Sequence, residues 1–212
     1  MKKLLTIFAM ILAISTQSFA GMNEADTKKA YDFVQKVYEK INKKVLSKNL
    51  TRDKRYTLVK DILVSQMDIE KISRFILGQH WKKAKDLQKE AFKTLFTEFQ
   101  AQRFTNILNE YKGQKISILG TEKASGKKQT FVKMTVVNEK DKKAEPIELK
   151  WRARKTKSSF KITDVIIGGI SMTLTLKNDY SAMIKKSENN GHNGLDALID
   201  ELDKKIELER KK

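Results

Sequence analysis

The chain has 212 residues, 44 Lys+Arg against 26 Asp+Glu, and a formal net charge of +18. It has no cysteine and only two histidines, which excludes disulfide frameworks, thiolate zinc sites, iron–sulfur clusters, cysteine nucleophiles and a histidine-rich metal site. One proline and nine glycines in a chain that is 33% charged predict long regular elements in one domain with its own core. The charge leaves nucleic acid or an anionic membrane surface as first-choice partners.

The first twenty residues choose between them. Lys2 and Lys3 precede a compact apolar run from Leu4 to Ile14, and Ser18-Phe19-Ala20 places small residues two apart before Gly21. This is the pattern of a cleavable export signal, cut after Ala20. The run is too short for a membrane span, which needs about 20 apolar residues. No cysteine follows it to carry a lipid anchor. The expected mature chain is therefore 21–212, exported and soluble, and export removes nucleic acid as a natural partner.

Residues 21–112 read as helical. Asn23 can cap a helix with Asp26 in its first turn, and Ala30, Phe33, Val34, Val37, Tyr38, Ile41 and Val45 then recur at three- and four-residue spacing. A second stripe, Leu58, Val59, Ile62 and Leu63, follows a Thr51 cap. A third starts near Asp68 with Ile69, Ile72, Phe75 and Ile76, and Gly78 ends or bends it before Trp81. The next helix, about 86–111, carries Phe92, Phe96, Phe99 and Phe104.

At Gly113 the period changes to two. Ile116 and Ile118; Val132, Met134 and Val136, opposite Phe131 and Lys133; Ile147, Leu149 and Trp151; and Phe160 and Ile162 read as four strands over 113–168. The short Lys-, Gly- and Asp-rich loops between them predict an antiparallel meander. Gly168-Gly169 closes the sheet. Residues 169–212 supply a helix at about 170–186, a turn at 187–191, and an amphipathic helix at about 194–210. Helices grouped before an antiparallel sheet mean an α+β fold, with helices on one face of about four curved strands. The basic excess lies in 21–168, and 169–212 is neutral.

The search for catalytic motifs is mostly negative: no nucleophile elbow, zincin motif or glycine-rich phosphate loop occurs. Asp164, between Ile162 and Val165, reads either as a buried general base or as a carboxylate fixing a turn or pairing with a Lys or Arg. His80 beside Trp81 reads as a proton carrier or as a turn histidine, and His192 as part of an exposed turn. The ten phenylalanines carry a stronger signal. An aromatic helical layer facing a curved sheet builds either an ordinary core or an apolar ligand cavity. Two basic runs, Lys82-Lys83 with Lys85, and Arg152, Arg154, Lys155 and Lys157, read as solvated faces or as docking sites for anionic headgroups or an acidic partner.

Three segments carry a family resemblance. Ile72 to Trp81 (ISRFILGQHW) resembles the vLGxyW segment of the MlaC family, also called toluene-tolerance auxiliary proteins. Phe160 to Met172 (FKITDVIIGGISM) is similar to its second signature, an aromatic residue followed by D-V and G-x-S, with Phe160 where a tryptophan is usual. Gly194 to Ile199 (GLDALI) resembles its C-terminal motif.

The resemblance implies a periplasmic phospholipid carrier of the Mla pathway, with a nuclear-transport-factor-like sheet wrapped by helices. Such a carrier moves lipid between an outer-membrane lipoprotein–porin complex and an inner-membrane ABC transporter bearing an MCE-domain ring, and maintains outer-membrane lipid asymmetry. It is expected to be a monomer with no cofactor beyond its phospholipid cargo, no metal and no enzymatic activity. Exposing two acyl chains of about 30 methylenes to water costs roughly 24 kcal/mol at ~0.8 kcal/mol each, so lipid needs such a shell to cross water. The expected cavity lining is Phe75, Leu77, Trp81, Phe92, Phe96, Phe99, Val132, Met134, Val136, Leu149, Trp151, Val165, Ile167 and Met172. The expected docking residues are Lys82, Lys83, Arg152, Arg154 and Lys157. An isomerase-like enzyme using Asp164, an adaptor docking acidic partners through its basic face, and a carrier of hopanoid or another apolar lipid remain as alternatives.

Overall fold

Asn23 starts the first helix. Its Oδ1 accepts the Asp26 N–H at 2.8 Å, satisfying one donor that a helix start leaves free. The computed structural model describes residues 22–46, 50–141 and 143–212, so the export signal read in residues 1–20 lies outside the described residues. Helix α1 (Glu24–Lys40) runs on into a π-helical turn at Ile41–Val45. Thr51 caps α2 (Arg52–Gln66) and Asp68 caps α3 (Ile69–Leu77), as their positions before apolar stripes predict. Gly78, at φ +52, ends α3 in a conformation glycine adopts without strain. The short α4 (Gln79–Lys83) and the long α5 (Asp86–Asn109) follow.

The sheet is an antiparallel meander in the order β1-β2-β3-β4-β5. The strands are β1 (Lys115–Lys123), β2 (Gln129–Val137), β3 (Ile147–Lys155), β4 (Phe160–Ile167) and β5 (Ile170–Ser171). The alternation predicts four strands, and the structure adds the two-residue β5. Gly168 and Gly169, at φ +55 and +82, form a tight turn that folds Ile170 back onto Ile167. Helix α6 (Met172–Asn189) therefore starts after β5 and extends over Ser187–Asn189, part of the turn expected at 187–191. Helix α7 (Gly194–Arg210) begins at its Asn193 cap.

Register places the apolar residues in rows. Met134 pairs with Leu149, Leu149 with Ile167, and Ile167 with Ile170; the next row is Val132, Trp151 and Val165. An extra residue on β4, Thr163, breaks strict alternation, so Ile162 and Val165 both reach the apolar side. The alternate positions of β2 and β3 carry Phe131, Lys133, Lys150, Arg152 and Arg154 on the other face.

Three packed clusters result. Helices α3 to α7 form one around Phe92, Phe96, Tyr180, Leu198 and Leu202, with the Phe92 and Phe96 rings stacked at 5.7 Å. Ala30 and Val34 of α1 seal a second against Val132, Met134 and Ala153 of the sheet. A third lies between them, where Val37, Val59, Ile62 and Leu63 meet Ile162.

A polar knot ties α2, α5 and α7. Glu98 accepts hydrogen bonds from Tyr56, from Lys60 at 2.7 Å and from Arg210 at 3.3 Å. Burial pushes the Glu98 carboxyl up, but the Lys60 and Tyr56 hydrogen bonds, the Lys60 charge and the Arg210 hydrogen bond outweigh it. They hold its pKa at about 2, against an ordinary 4.5. A carboxylate depressed in the folded state stabilises the fold above its unfolded pKa and loses that contribution as pH falls through the folded value. Urea unfolding of the wild type should therefore lose stability between about pH 4.5 and 2. Glu98→Gln should be less stable than wild type at neutral pH and should lack that part of the acid dependence.

Candidate functional site

Between the apolar face of the sheet and the helices lies a groove of about 240 Å3. The end of α1 and its π-turn supply Val37, Tyr38, Ile41 and Val45. Helix α2 supplies Val59, Ile62, Leu63 and Gln66. The end of α5 brings Phe104, Ile107 and Leu108, with Tyr111 just beyond. The floor is Ile116, Met134, Leu149, Trp151, Ile162, Val165 and Ile167.

Three polar side chains on this wall, Tyr38, Tyr111 and Gln66, have hydrogen-bond partners within the fold. The Tyr38 hydroxyl donates to the Ile116 carbonyl at 3.2 Å and the Tyr111 hydroxyl to that of Gln114 at 2.5 Å. The Gln66 amide donates to Ser65 Oγ at 2.8 Å. The groove thus offers mainly non-directional apolar contact, and no Asp, Glu, His, Lys or Ser is among its described lining residues. A water needs only about 10–15 Å3, so the space is ligand-sized. A second hollow of about 30 Å3 lies behind it, and Leu63, Met67, Phe104 and Val165 line both.

The residues expected to line a cavity divide among these places. Met134, Leu149, Trp151, Val165 and Ile167 line the groove. Phe96 and Met172 line the small hollow. Leu77, Trp81, Phe92 and Phe99 pack into the helical cluster, where helices fill one another's gaps. Phe75 is 45% exposed, with the Lys177 ammonium 4.9 Å from its ring centre. Val132 is sealed beneath α1, and Val136 pairs with Ile116 and Ile147 but is not among the lining residues. The lining residues of α1 and α2 are apolar stripes that read as plain core in sequence.

The docking residues divide as well. Lys82, Lys83 and Lys157 are exposed. Arg152 instead lies 3.7 Å from Asp164 and 4.7 Å from the centre of the Phe131 ring, and Arg154 lies 3.6 Å from Asp68. Both arginines are held by partners within the fold.

Asp164 is 2% exposed. It accepts the Ser171 hydroxyl at 2.7 Å and the Thr173 N–H at 3.1 Å, and so pins the corner where β4 turns through β5 into α6. This is the turn-fixing role, with Arg152 as its ion-pair partner. His80 Nδ1 lies 3.9 Å from Glu188, and His192 is exposed. Among the described residues no three His, Cys, Asp or Glu side chains cluster as a metal site would require.

Fold and site together define a helix-wrapped α+β protein with an open apolar cavity. The family model of the MlaC protein matches residues 31–204, and the chain belongs to that family. It is 21% identical over 203 residues to the intermembrane phospholipid transport system binding protein MlaC of Haemophilus influenzae, covering 94% of this chain and 91% of that protein. Its fold matches the phospholipid-binding protein of Ralstonia solanacearum, solved in complex with a phospholipid. The TM-score is 0.73 at 20% identity, over 86% of this chain and 99% of that one.

Filling the groove from its floor tests its capacity. Leu149→Trp should weaken binding of an environment-sensitive naphthylamine dye about tenfold, or about 1.4 kcal/mol, with no loss in melting temperature.

Proposed function

We propose that this protein is a carrier of glycerophospholipid, with the acyl chains held in the groove under the sheet and the headgroup at its mouth. The observation that carries this reading is the apolar groove itself, 240 Å3 of space with the Tyr38 and Tyr111 hydroxyls of its wall bonded within the fold. Membership of the MlaC family and likeness to a structure holding a phospholipid support it. An apolar wall is nearly neutral between binding an acyl chain and leaving it in a bilayer, so loading and release can both proceed without chemistry.

In the full reading the chain is exported, cut after Ala20, and works in the periplasm as a monomeric single domain of residues 21–212. It shuttles lipid between an outer-membrane lipoprotein–porin complex and an inner-membrane MCE-domain ABC transporter, and so maintains outer-membrane lipid asymmetry. The intermembrane system named for the Haemophilus relative supports that placement. The hydrogen bonds that occupy Asp164 favour a carrier over an isomerase.

Organic extraction and mass spectrometry of protein purified from the periplasm should return stoichiometric phospholipid. Hopanoid or another apolar lipid in its place would change the cargo but keep the carrier. No lipid, even after incubation with phospholipid vesicles, would sink the reading. Asp164→Asn should retain bound lipid and lose stability only.

Lys82, Lys83 and Lys157 are the proposed docking charges, each worth about 1 kcal/mol near an anionic surface. Reversing all three to Glu should slow lipid transfer between anionic vesicles at low salt and leave the bound lipid in place. Transfer at the wild-type rate would remove these lysines from docking.

A further inference from the structure

The small hollow behind the groove has a wall unlike the groove's. Gln100 is 6% exposed and lines this hollow, and its carboxamide nitrogen has no hydrogen-bond partner among the described residues. A buried amide left unpaired is costly, which is why nearly all such groups are satisfied. Thr97, one turn earlier on the same face of α5, also lines the hollow, and Thr173 faces it from the start of α6. The Thr97 hydroxyl donates to the Lys93 carbonyl at 2.7 Å, so its own oxygen is left as an acceptor.

The hollow thus pairs an unsatisfied N–H donor with hydroxyl oxygens able to accept, inside an otherwise apolar wall. A group that both accepts and donates completes the set, and a hydroxyl does both. Side chains common to both, Met67 and Phe104 among them, stand between this hollow and the groove. Methionine is unbranched and adaptable, so a chain lying in the groove can reach through.

We propose that Gln100 is a specificity-determining residue and that the inner hollow selects a lipid whose acyl chain bears a hydroxyl group. The chain oxygen accepts from the Gln100 amide, and the chain hydroxyl donates to Thr97 or Thr173. This inference rests on the carrier reading, since it needs an acyl chain in the groove. The rival source of the missing oxygen is an ordered water, which the hollow is large enough to hold.

The test uses the delipidated full mature chain and phosphatidylglycerols that differ in one acyl chain. That chain is stearoyl, or hydroxystearoyl with the hydroxyl near the carboxyl end, at mid-chain or near the methyl end. One hydroxystearoyl isomer should bind about tenfold tighter than stearoyl, or about 1.4 kcal/mol, and Gln100→Leu should abolish that preference while still binding the stearoyl lipid. Should Gln100→Leu not fold, the wild type still decides: the Gln100 side-chain amide resonance in nitrogen-15 NMR should move with the preferred isomer and not with stearoyl. Equal binding of all probes, or an unmoved amide resonance, overturns the inference and leaves the carrier intact, with water as the amide's partner. Failure of every probe to bind overturns the carrier reading itself.

Discussion

An apolar hollow inside a folded chain is a standing cost, and the rest of this molecule is arranged around it. The groove leaves about 240 Å3 beside its apolar wall unfilled by the protein's own side chains, so that wall forgoes the stabilisation that burial in a core would give. The hollow is bearable because solid packing lies on both sides of it. Apart from the small hollow at its edge, the aromatic cluster of α3 to α7 packs side chain against side chain, and so does the seam where Ala30 and Val34 press on the sheet. Met67 packs against the helical cluster and Trp151 against the sheet cluster, and both also line the groove, so its walls are anchored in the packing on either side.

Polar groups serve the same arrangement by fixing corners. Asp164 holds the β4–β5–α6 corner, and Arg152 and Arg154 brace β3 against Asp164 and Asp68. Arg52 reaches from α2 to Gln102 and Asn106 of α5 and to the Glu209 carbonyl of α7, joining three helices through one guanidinium. A basic residue on this chain is therefore not automatically a surface charge for a partner. Some of its basicity holds the frame in which the groove stays open.

Much of this frame is legible in the sequence. Asn23, Thr51, Asp68 and Asn193 stand where capping chemistry puts them, and the change of period at Gly113 marks the turn from helices to meander within two residues. The motif segments around Trp81, Asp164 and Gly194 lead to the family that the comparison finds. The lining of the groove is less legible. Strand alternation identifies the face of Leu149 and Trp151, but Ile167 joins that face only through the extra residue Thr163, and period alone does not say which helix lies over a face or whether the gap is filled. The phenylalanines look like the natural lining, yet Phe92 and Phe99 fill a helix-only core. The stripe of Val37, Ile41 and Val45 looks like ordinary core, and it borders open space. β5 is too short to leave any periodic signal, and only Gly168-Gly169 hints at it.

The placement of the two tryptophans has a spectroscopic consequence. Trp81 is 9% exposed in the helical cluster, with the Arg74 guanidinium 5.6 Å from its ring centre, away from the groove. Trp151 stands in the groove wall. On the proposed carrier reading, one indole stands where an incoming acyl chain would displace solvent, and the other lies away from that place. A carrier built this way would hold an optical reporter of its own occupancy together with an internal reference, and the filling of the groove would be followed in real time without a label.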